Sequence, residues 1–292
     1  MRTLKLKISN QEDGKEVKWL LFTKFKLSSR LVTKLKNTDG IKLNNESVTV
    51  RKTVKVGDVL ELILPDEKSK NVIPVDLPLD ILYEDEDLLI VNKPYDMPVH
   101  PSMNNYDNTL GNAVMYRYKD IPFTYRPVNR LDRDTTGVVI VARTAQAADS
   151  LSKQMQNGTY KKTYLCITDG VPNPLKGIID APIKREQESV IKRIVSSDGQ
   201  AAVTNYEVLK ENGKNALVKV NPVTGRTHQI RVHFSYIGCP LKNDFLYGKQ
   251  ENDEIFMLHC SKVEFNHPVT CKKIIITAPV PHYMSIVQED KE

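Results

Sequence analysis

The chain has 292 residues, 40% of them hydrophobic, which is enough to bury one large core or two smaller ones. No uninterrupted apolar stretch approaches the roughly 18 residues of a membrane span, and residues 1–10 are basic without the apolar centre of a signal peptide, so we expect a cytoplasmic protein with no membrane partner. The net charge of +6 is unevenly placed, because residues 1–75 hold 16 lysines and arginines against 9 acidic residues, whereas the remainder holds 26 against 27.

The first predicted elements are two short helices. Apolar residues fall near helical spacing from Val17 to Phe25, and Ser28 or Ser29 can cap a second helix that ends near Gly40. Five cations would give this pair a basic side opposite its apolar side: Lys24, Lys26, Arg30, Lys34 and Lys36. Such a module fits a handle for a polyanion, and a basic face kept for solubility explains it equally well.

Short strands are predicted to follow over residues 41–43, 48–50 and 57–62, with a turn at Asn44-Asn45. This N-terminal stretch resembles the small RNA-binding domain named after the fourth small-subunit ribosomal protein, through its Ser29-Arg30 helix entry and its Gly57-Asp58 step. The two asparagines replace the usual glycine, and asparagine adopts the same positive φ at modest cost. The resemblance implies an α+β RNA-binding domain over residues 1–65, in which Arg30 and Lys34 contact RNA.

Residues 66–79 are polar and punctuated by proline, which is typical of a linker. Beyond them, apolar strand-like runs alternate with polar, helix-like segments and no fixed repeat is present. The runs are residues 88–91, 138–142, 164–167, 216–220 and 274–278. The pattern predicts one α+β domain over residues 80–292.

No residue pattern predicts a metal site. The four cysteines at positions 166, 239, 260 and 271 match no zinc or redox spacing, and we interpret them as free thiols. His228 and His233 lie about 140° apart around a helix and on opposite faces of a strand, so they make a poor metal pair. We expect packing or RNA contact from them instead.

One short motif supports two different chemistries. Asp132, Asp134 and Thr136 form D-x-D-x-T, as in haloacid-dehalogenase-type phosphohydrolases that need Mg²⁺. In those enzymes the first aspartate ends a buried strand, but the residues before Asp132 read YRPVNRL, and two arginines and a proline do not suit a central strand. The phosphohydrolase is the weaker interpretation.

The longer string RPVNRLDRDTTGVVIVAR resembles the catalytic motif of RluA-type RNA pseudouridine synthases, in which Arg-Leu-Asp precedes a Thr-Ser-Gly turn and an apolar strand. Asn129 stands where that family usually has His, and Thr136 where it usually has Ser. Further segments match in family order: LLIVNKPYDMPVHPS, KKTYLCI, GRTHQIRVHFSYIGCPL, NDFLYG and MLHCSKVEFNHP. The resemblance implies a mixed, largely antiparallel sheet and an isomerase that converts uridine in RNA to pseudouridine without metal or organic cofactor.

The family match also assigns roles to residues. Asp132 would act as nucleophile or as the base that removes a ribose proton, and both remain open. Because a carboxylate shielded from water is more easily protonated, it needs a neighbouring cation, which the match gives as Arg231. Arg231 would lie on a helix that Thr227 can cap. Tyr164 would stack on the uracil with its hydroxyl near C5.

Base flipping and RNA contact complete the implied machinery. Arg130 would brace the flipped nucleotide, since the target base must leave its stack. The remaining candidates for RNA contact are Lys93, Lys161, Lys162, Arg226, His228 and Gln229. We expect a monomer that modifies a loop or bulge uridine, in ribosomal RNA rather than tRNA. A non-catalytic RNA-binding or ribosome-assembly protein is the alternative.

Overall fold

A computed structural model describes residues 2–64, 72–102, 105–187, 191–249 and 255–284, without the side chain of Arg2. Residues 66–71 of the predicted linker lie outside these ranges. Within the described residues the chain forms fifteen strands and five helices, and its buried apolar residues form two large, separate clusters. One cluster belongs to the N-terminal residues 8–64 and the other to the rest of the chain.

The N-terminal part is a four-stranded antiparallel sheet packed on two helices. Its elements are β1 (Arg2–Lys7), α1 (Val17–Thr23), α2 (Ser29–Asn37), β2 (Ile41–Leu43), β3 (Glu46–Ser47) and β4 (Val59–Leu64). The strand order is β1-β4-β2-β3. Ser28 caps α2, because its Oγ accepts a hydrogen bond from the amide of Leu31 at 3.3 Å. The predicted turn is confirmed, with φ of 52° at Asn44 and 71° at Asn45.

Two N-terminal predictions need correction. Strand β1 was missed, although its alternating Leu4 and Leu6 carried a period of two, because basic residues dominate the segment. Residues 48–50 are not a strand. The carbonyl of Val50 accepts from the amide of Lys18 at 2.8 Å and so satisfies an unpaired amide at the start of α1.

The remaining residues form the larger α+β part. Its strands are β5 (Ile81–Glu84), β6 (Leu88–Lys93), β7 (Thr136–Ala142), β8 (Lys161–Asp169), β9 (Lys176–Asp180), β10 (Ile183–Arg185), β11 (Arg193–Val195), β12 (Val203–Glu211), β13 (Asn215–Pro222), β14 (Leu258–Asn266) and β15 (Lys273–Thr277). Its helices are α3 (Leu110–Arg117), α4 (Ala145–Gln156) and α5 (Gln229–Tyr236).

Nine of these strands form one sheet in the order β5-β6-β7-β14-β8-β13-β12-β9, with β15 paired to β14. All pairs are antiparallel except β7 with β14, so the prediction of a mixed, largely antiparallel sheet is confirmed. Strand β7 is buried at every residue, which explains its unbroken apolar sequence. The five predicted strand-like runs lie on β6, β7, β8, β13 and β15.

Helix α4 joins the two parts. The side-chain amide of Gln146 donates to the carbonyl of Phe25 at 3.2 Å, and Lys153 Nζ donates to the carbonyl of Lys26 at 2.7 Å. Asp149 Oδ2 accepts from the amide of Ser28 at 3.2 Å. The start of the basic helix α2 is thus fixed against the larger part. Among the helices that the structure describes, none is long and apolar enough to cross a membrane.

Candidate active site

The loop that carries Asp132 is held to the sheet by Asn129. The side-chain amide of Asn129 pairs with the backbone of β7 in the way that a peptide group of a neighbouring strand would. Its Nδ2 donates to the carbonyl of Val138 and its Oδ1 accepts from the amide of Ile140, both at 2.9 Å. Its side chain is buried. A residue that departs from the usual family pattern therefore supports the loop by pairing with β7 as a strand would.

The Thr-Thr-Gly turn marks the one parallel step of the sheet. Gly137 has φ of 105°, and a Cβ there would clash with the carbonyl oxygen of Cys260. Only glycine fits this approach of β7 to β14. Beside it, Thr136 Oγ1 lies 2.8 Å from Nδ1 of buried His259. The turn thus fixes where the loop leaves the sheet.

Lys93 is a structural residue, and its prediction as an RNA contact is wrong. The side chain is fully buried, and Nζ donates to the carbonyls of Pro94, Met97 and Arg133 at 2.7–2.8 Å. Burial lowers the pKa of Lys93 to about 7, but the three carbonyls use all three ammonium protons. The lysine ties the chain after β6 to the loop that carries Asp132.

Asp132 faces a buried arginine. Asp132 Oδ2 lies 3.2 Å from Nη1 of Arg231, which projects from α5, as the family match implied. The guanidinium also forms a bidentate pair with fully buried Asp244, with Nε–Oδ2 at 2.8 Å and Nη2–Oδ1 at 2.7 Å. Burial lowers the pKa of Arg231, but the hydrogen bonds and charge of Asp244 outweigh it and the net shift is upward. The cation is therefore permanent and fixed in direction.

Three aromatic rings enclose the same guanidinium. Its central carbon lies 5.3 Å from the ring centre of Phe245, 5.1 Å from that of Tyr247 and 5.0 Å from that of Phe256. Sequence reasoning did not single out these rings or Asp244. The only available signal was the family segment NDFLYG, which contains three of the four residues.

His228 begins α5 in an unusual backbone conformation. It is the N-cap residue with φ of 56°, and the cap has no side-chain hydrogen bond, so the prediction that Thr227 caps this helix is wrong. His228 Nδ1 lies 2.8 Å from the hydroxyl of Tyr247, which accepts from the amide of Arg193 at 2.9 Å. On the other side of the ring, Nε2 lies 3.8 Å from Asp132 Oδ2. Burial lowers the pKa of His228 and favours a neutral ring.

Gln229 holds the loop before α5 and is not available to RNA. Its Oε1 accepts from Thr224 Oγ1 at 2.8 Å and from the amide of Arg226 at 2.9 Å, and its Nε2 donates to the carbonyl of Val203 and to Thr204 Oγ1. The side chain is buried and its amide is fully used. The prediction of an RNA contact at Gln229 is therefore wrong. His233 is also buried, between Thr204 and the carbonyl of Ala181.

Tyr164 and Lys162 point to the same side of β8, because side chains alternate along a strand. Tyr164 is buried, and burial raises the pKa of its phenol well above the usual value, as does the adjacent Cys260. The phenol is therefore protonated. Lys161 lies on the opposite face of β8 and is exposed, so Lys162 and not Lys161 is the lysine of the cavity.

These residues surround one cavity of about 760 Å³. Asp132, Tyr164, His228 and Arg231 line it, so the structure brings the three predicted catalytic side chains together. Its wall is also strongly cationic through Arg130, Lys162, Arg185, Arg193 and Arg226. Arg185 and Arg193, on β10 and β11, were not singled out from the sequence. An anionic substrate with a planar base fits this lining.

The structure argues against the phosphohydrolase interpretation of D-x-D-x-T. Asp134 is buried, lies 3.1 Å from Nε of Arg133 and does not line the cavity. Elsewhere in the described residues, Asp85, Asp87 and His267 lie close enough for a metal ion. His267 Nδ1 accepts from two backbone amides, so its Nε2 proton is donated to Asp85 at 2.9 Å, and the group is a structural junction.

Comparisons with known proteins identify the class. A family described as "RNA pseudouridylate synthase" matches residues 87–236. The chain is 38% identical to the uncharacterized RNA pseudouridine synthase YhcT of Bacillus subtilis (strain 168), over 96% of this chain and 94% of the relative. It is 35% identical to ribosomal large subunit pseudouridine synthase D of Xanthomonas campestris pv. campestris, over 92% and 87%.

A solved structure agrees with these relatives. Human RNA Pseudouridylate Synthase Domain Containing 1 superimposes with a TM-score of 0.59 at 27% identity, covering 70% of this chain and 84% of that one. The chain therefore belongs to the RNA pseudouridine synthase family, and it is an isomerase that acts on RNA. The resemblance found in the sequence is confirmed at this level.

Proposed function

We propose that this enzyme converts uridines of ribosomal RNA to pseudouridine, with Asp132 as the reacting carboxylate and the target base flipped into the cavity. The observation that carries the proposal is the placement of Asp132 in the cavity beside the Arg231–Asp244 pair. The name of the Xanthomonas relative, which refers to the large ribosomal subunit, favours ribosomal RNA over tRNA.

The reaction needs only one acting carboxylate. The bond between ribose C1′ and uracil N1 breaks, the base rotates, and C5 joins C1′ while its proton is lost, so no water enters. A glycosidase needs a second carboxylate to protonate its departing group or to activate water. In this cavity, Arg231 and His228 both approach Oδ2 of Asp132. This leaves Oδ1 to react with the ribose, whether as nucleophile or as base.

Access to the base requires that it leave its stack, and unpaired loop uridines cost least to expose. Arg130 supports this step, because it is exposed at the cavity two residues before Asp132 and can occupy the space that the base leaves. Tyr164 offers a buried aromatic face within the cavity for the flipped uracil. Arg226, also exposed there, is positioned for a phosphate.

The N-terminal residues 1–65 extend the proposed RNA contact. Residues 2–64 have their own sheet and apolar core, and α2 places Arg30, Lys34 and Lys36 on its solvent side. Cations on one face neutralise phosphates without reading sequence. We assign this part to RNA binding and residues 80–292 to the reaction.

The experiment is a map of pseudouridine in RNA from cells that lack the gene, complemented with wild type or Asp132→Asn. The proposal expects specific ribosomal RNA uridines to lose modification, to regain it with wild type and to stay unmodified with the variant. Loss confined to tRNA would overturn the ribosomal assignment. Full restoration by Asp132→Asn would overturn the role of Asp132 and favour a different reacting group.

A further inference from the structure

Lys162 is a lysine in the wall of the cavity. It lies two residues before Tyr164 on the same face of β8 and lines the cavity. Its ammonium approaches the loop before α5, since Nζ lies 3.7 Å from the position that a Cβ on Gly225 would take. Lys162 Nζ has no hydrogen bond or ion pair with any residue that the structure describes.

The surroundings do not balance this charge. The ionisable group that acts on the Lys162 charge is Cys260 on β14. Its thiol is neutral, because burial raises the pKa of Cys260 to about 12. Lys162 is partly exposed to the cavity, and the partial burial of its ammonium lowers its pKa, as expected for a cation held partly away from water without an anion. Arg231, the fully buried cation of the cavity, is already bound to Asp132 and Asp244. A partly desolvated ammonium without an ion pair would be stabilised by a bound anion.

The proposed reaction creates such an anion. When the C1′–N1 bond breaks, its electron pair stays with the base, and the negative charge spreads over N1, O2 and O4 of uracil. This holds whether Asp132 displaces the base at C1′ or removes a ribose proton. When C5 bonds to C1′, the ring is neutralised, and loss of the C5 proton together with gain of a proton at N1 restores its conjugation. If Asp132 has removed a ribose proton, that proton returns to the ribose as the new bond forms. A fixed donor that meets developing charge lowers the barrier most.

We propose that Lys162 is a catalytic residue that donates a hydrogen bond to a carbonyl oxygen of the uracil and stabilises the base while it is detached. This inference rests on the proposed function. It gives Lys162 a role different from phosphate contact, because the base, and not the backbone, enters the pocket between Tyr164 and Asp132. Two side chains of β8 would thus act together on the uracil, with Tyr164 contacting its ring and Lys162 its carbonyl oxygen.

The test compares two leaving bases. Transcripts around a mapped target uridine are made with either uridine or 5-fluorouridine, and cleavage of the C1′–N1 bond is followed in single turnovers. Lys162→Met keeps the length of the side chain but removes its charge. We expect a loss of about 100-fold on the uridine transcript, as for removal of one oxyanion donor. The loss on 5-fluorouridine should be several-fold smaller, because fluorine itself stabilises negative charge on the ring.

The controls separate this role from folding and from substrate binding. Lys219→Met makes the same change on neighbouring β13, outside the cavity, where the lysine pairs with Glu207, and it should match wild type on both transcripts. Lys162→Gln is measured as well, in case the methionine variant unfolds, and should show the same dependence on the base. Methylammonium should partly restore the rate of Lys162→Ala.

Equal losses on the two transcripts, or no loss on either, would overturn the inference. An effect confined to the enzyme concentration that gives half of the maximal single-turnover rate would also overturn it and return Lys162 to phosphate contact. These outcomes differ from a failure of the proposed function, in which wild type itself would form no pseudouridine in the uridine transcript.

Discussion

At the scale of single residues, the site depends on one arginine shared by two aspartates. Arg231 is buried, bound through two nitrogens to Asp244 and through the third to Asp132. Asp244 is completely buried, while Asp132 reaches the cavity. The inner aspartate therefore neutralises and orients the arginine, and the outer one is left for the proposed reaction.

The role of Asp244 can be tested by Asp244→Asn. The amide keeps the shape but removes the charge that aligns the guanidinium, so Arg231 should move toward Asp132. We expect kcat to fall by about 10- to 100-fold with little change in KM, the pattern of an interaction that matters in the transition state. Asp244→Ala should also lower the free energy of unfolding by about 3–5 kcal/mol, since it removes the buried carboxylate that holds the Arg231 guanidinium through two hydrogen bonds. Wild-type kcat in Asp244→Asn would contradict this role.

At the scale of secondary structure, the loop of Asp132 depends on how the chain enters and leaves β7. Asn129 pairs with β7 before the loop, and Gly137 allows β7 to approach β14 after it. Lys93 at the end of β6 holds the loop in place by donating a hydrogen bond to the carbonyl of Arg133. The position of Asp132, the proposed reacting group, is thus set by Asn129 on a strand-like segment, Gly137 on β7 and Lys93 on β6.

Asn129→Ala tests the first of these supports. The change leaves the carbonyl of Val138 and the amide of Ile140 without their partners, so the free energy of unfolding should fall by about 2–4 kcal/mol. Urea denaturation measures it. Asn92→Ala removes an exposed side-chain bond to Asp80 and should change stability by less than about 0.5 kcal/mol. Equal effects of the two substitutions would show that Asn129 does not support the sheet.

The contact between β7 and β14 should also make stability depend on pH. Burial lowers the pKa of His259, on β14, to about 4 from an ordinary value of 6.5. Between these values the unfolded chain binds more protons than the folded one, so stability is complete above pH 6.5 and falls as the pH drops toward 4. The expected loss is about 3 kcal/mol. Urea denaturation across this range should show a weaker pH dependence in His259→Gln, and an unchanged dependence would contradict the assignment.

Sequence reasoning succeeded where a local pattern decides the structure. The apolar runs of β6 and β7 and the turn at Asn44-Asn45 are set by local periodicity and backbone preference, and all are confirmed. The family motifs correctly brought Asp132, Tyr164 and Arg231 to one cavity. Sequence reasoning failed for Lys93 and Gln229, because their burial depends on carbonyls and hydroxyls contributed by other parts of the chain. No local signal distinguishes a lysine bound to three carbonyls from one that meets a phosphate.

At the scale of the whole molecule, the positive charge excess and the cavity belong to different parts. The excess lies in residues 1–75, while Asp132 and its partners lie in the larger part. Helix α4 holds the two together through its contacts with residues 25–28. We propose that a long RNA meets both the basic helix α2 and the cavity, which would favour a structured substrate over a free nucleoside.

Arg30→Gln combined with Lys34→Gln tests this division. Loss of two phosphate contacts should raise KM for a structured RNA. It should also reduce the slope of log(1/KM) against the logarithm of the salt concentration by about two. Steady-state rates at several salt concentrations measure both quantities. Lys5→Gln combined with Lys7→Gln changes the net charge equally on exposed positions of β1 and serves as control. Identical salt dependence in the α2 variant and wild type would contradict RNA contact by α2.

Asp132, oriented by Arg231, is the residue proposed to carry out the isomerisation. The most direct measurement is tritium release from ribosomal RNA labelled with 5-³H-uridine, taken from cells that lack the gene and incubated with purified wild type or Asp132→Asn. The account predicts one tritium released per modified uridine with wild type, and none above background with the variant at the same folded concentration. Release by Asp132→Asn at the wild-type rate would contradict it.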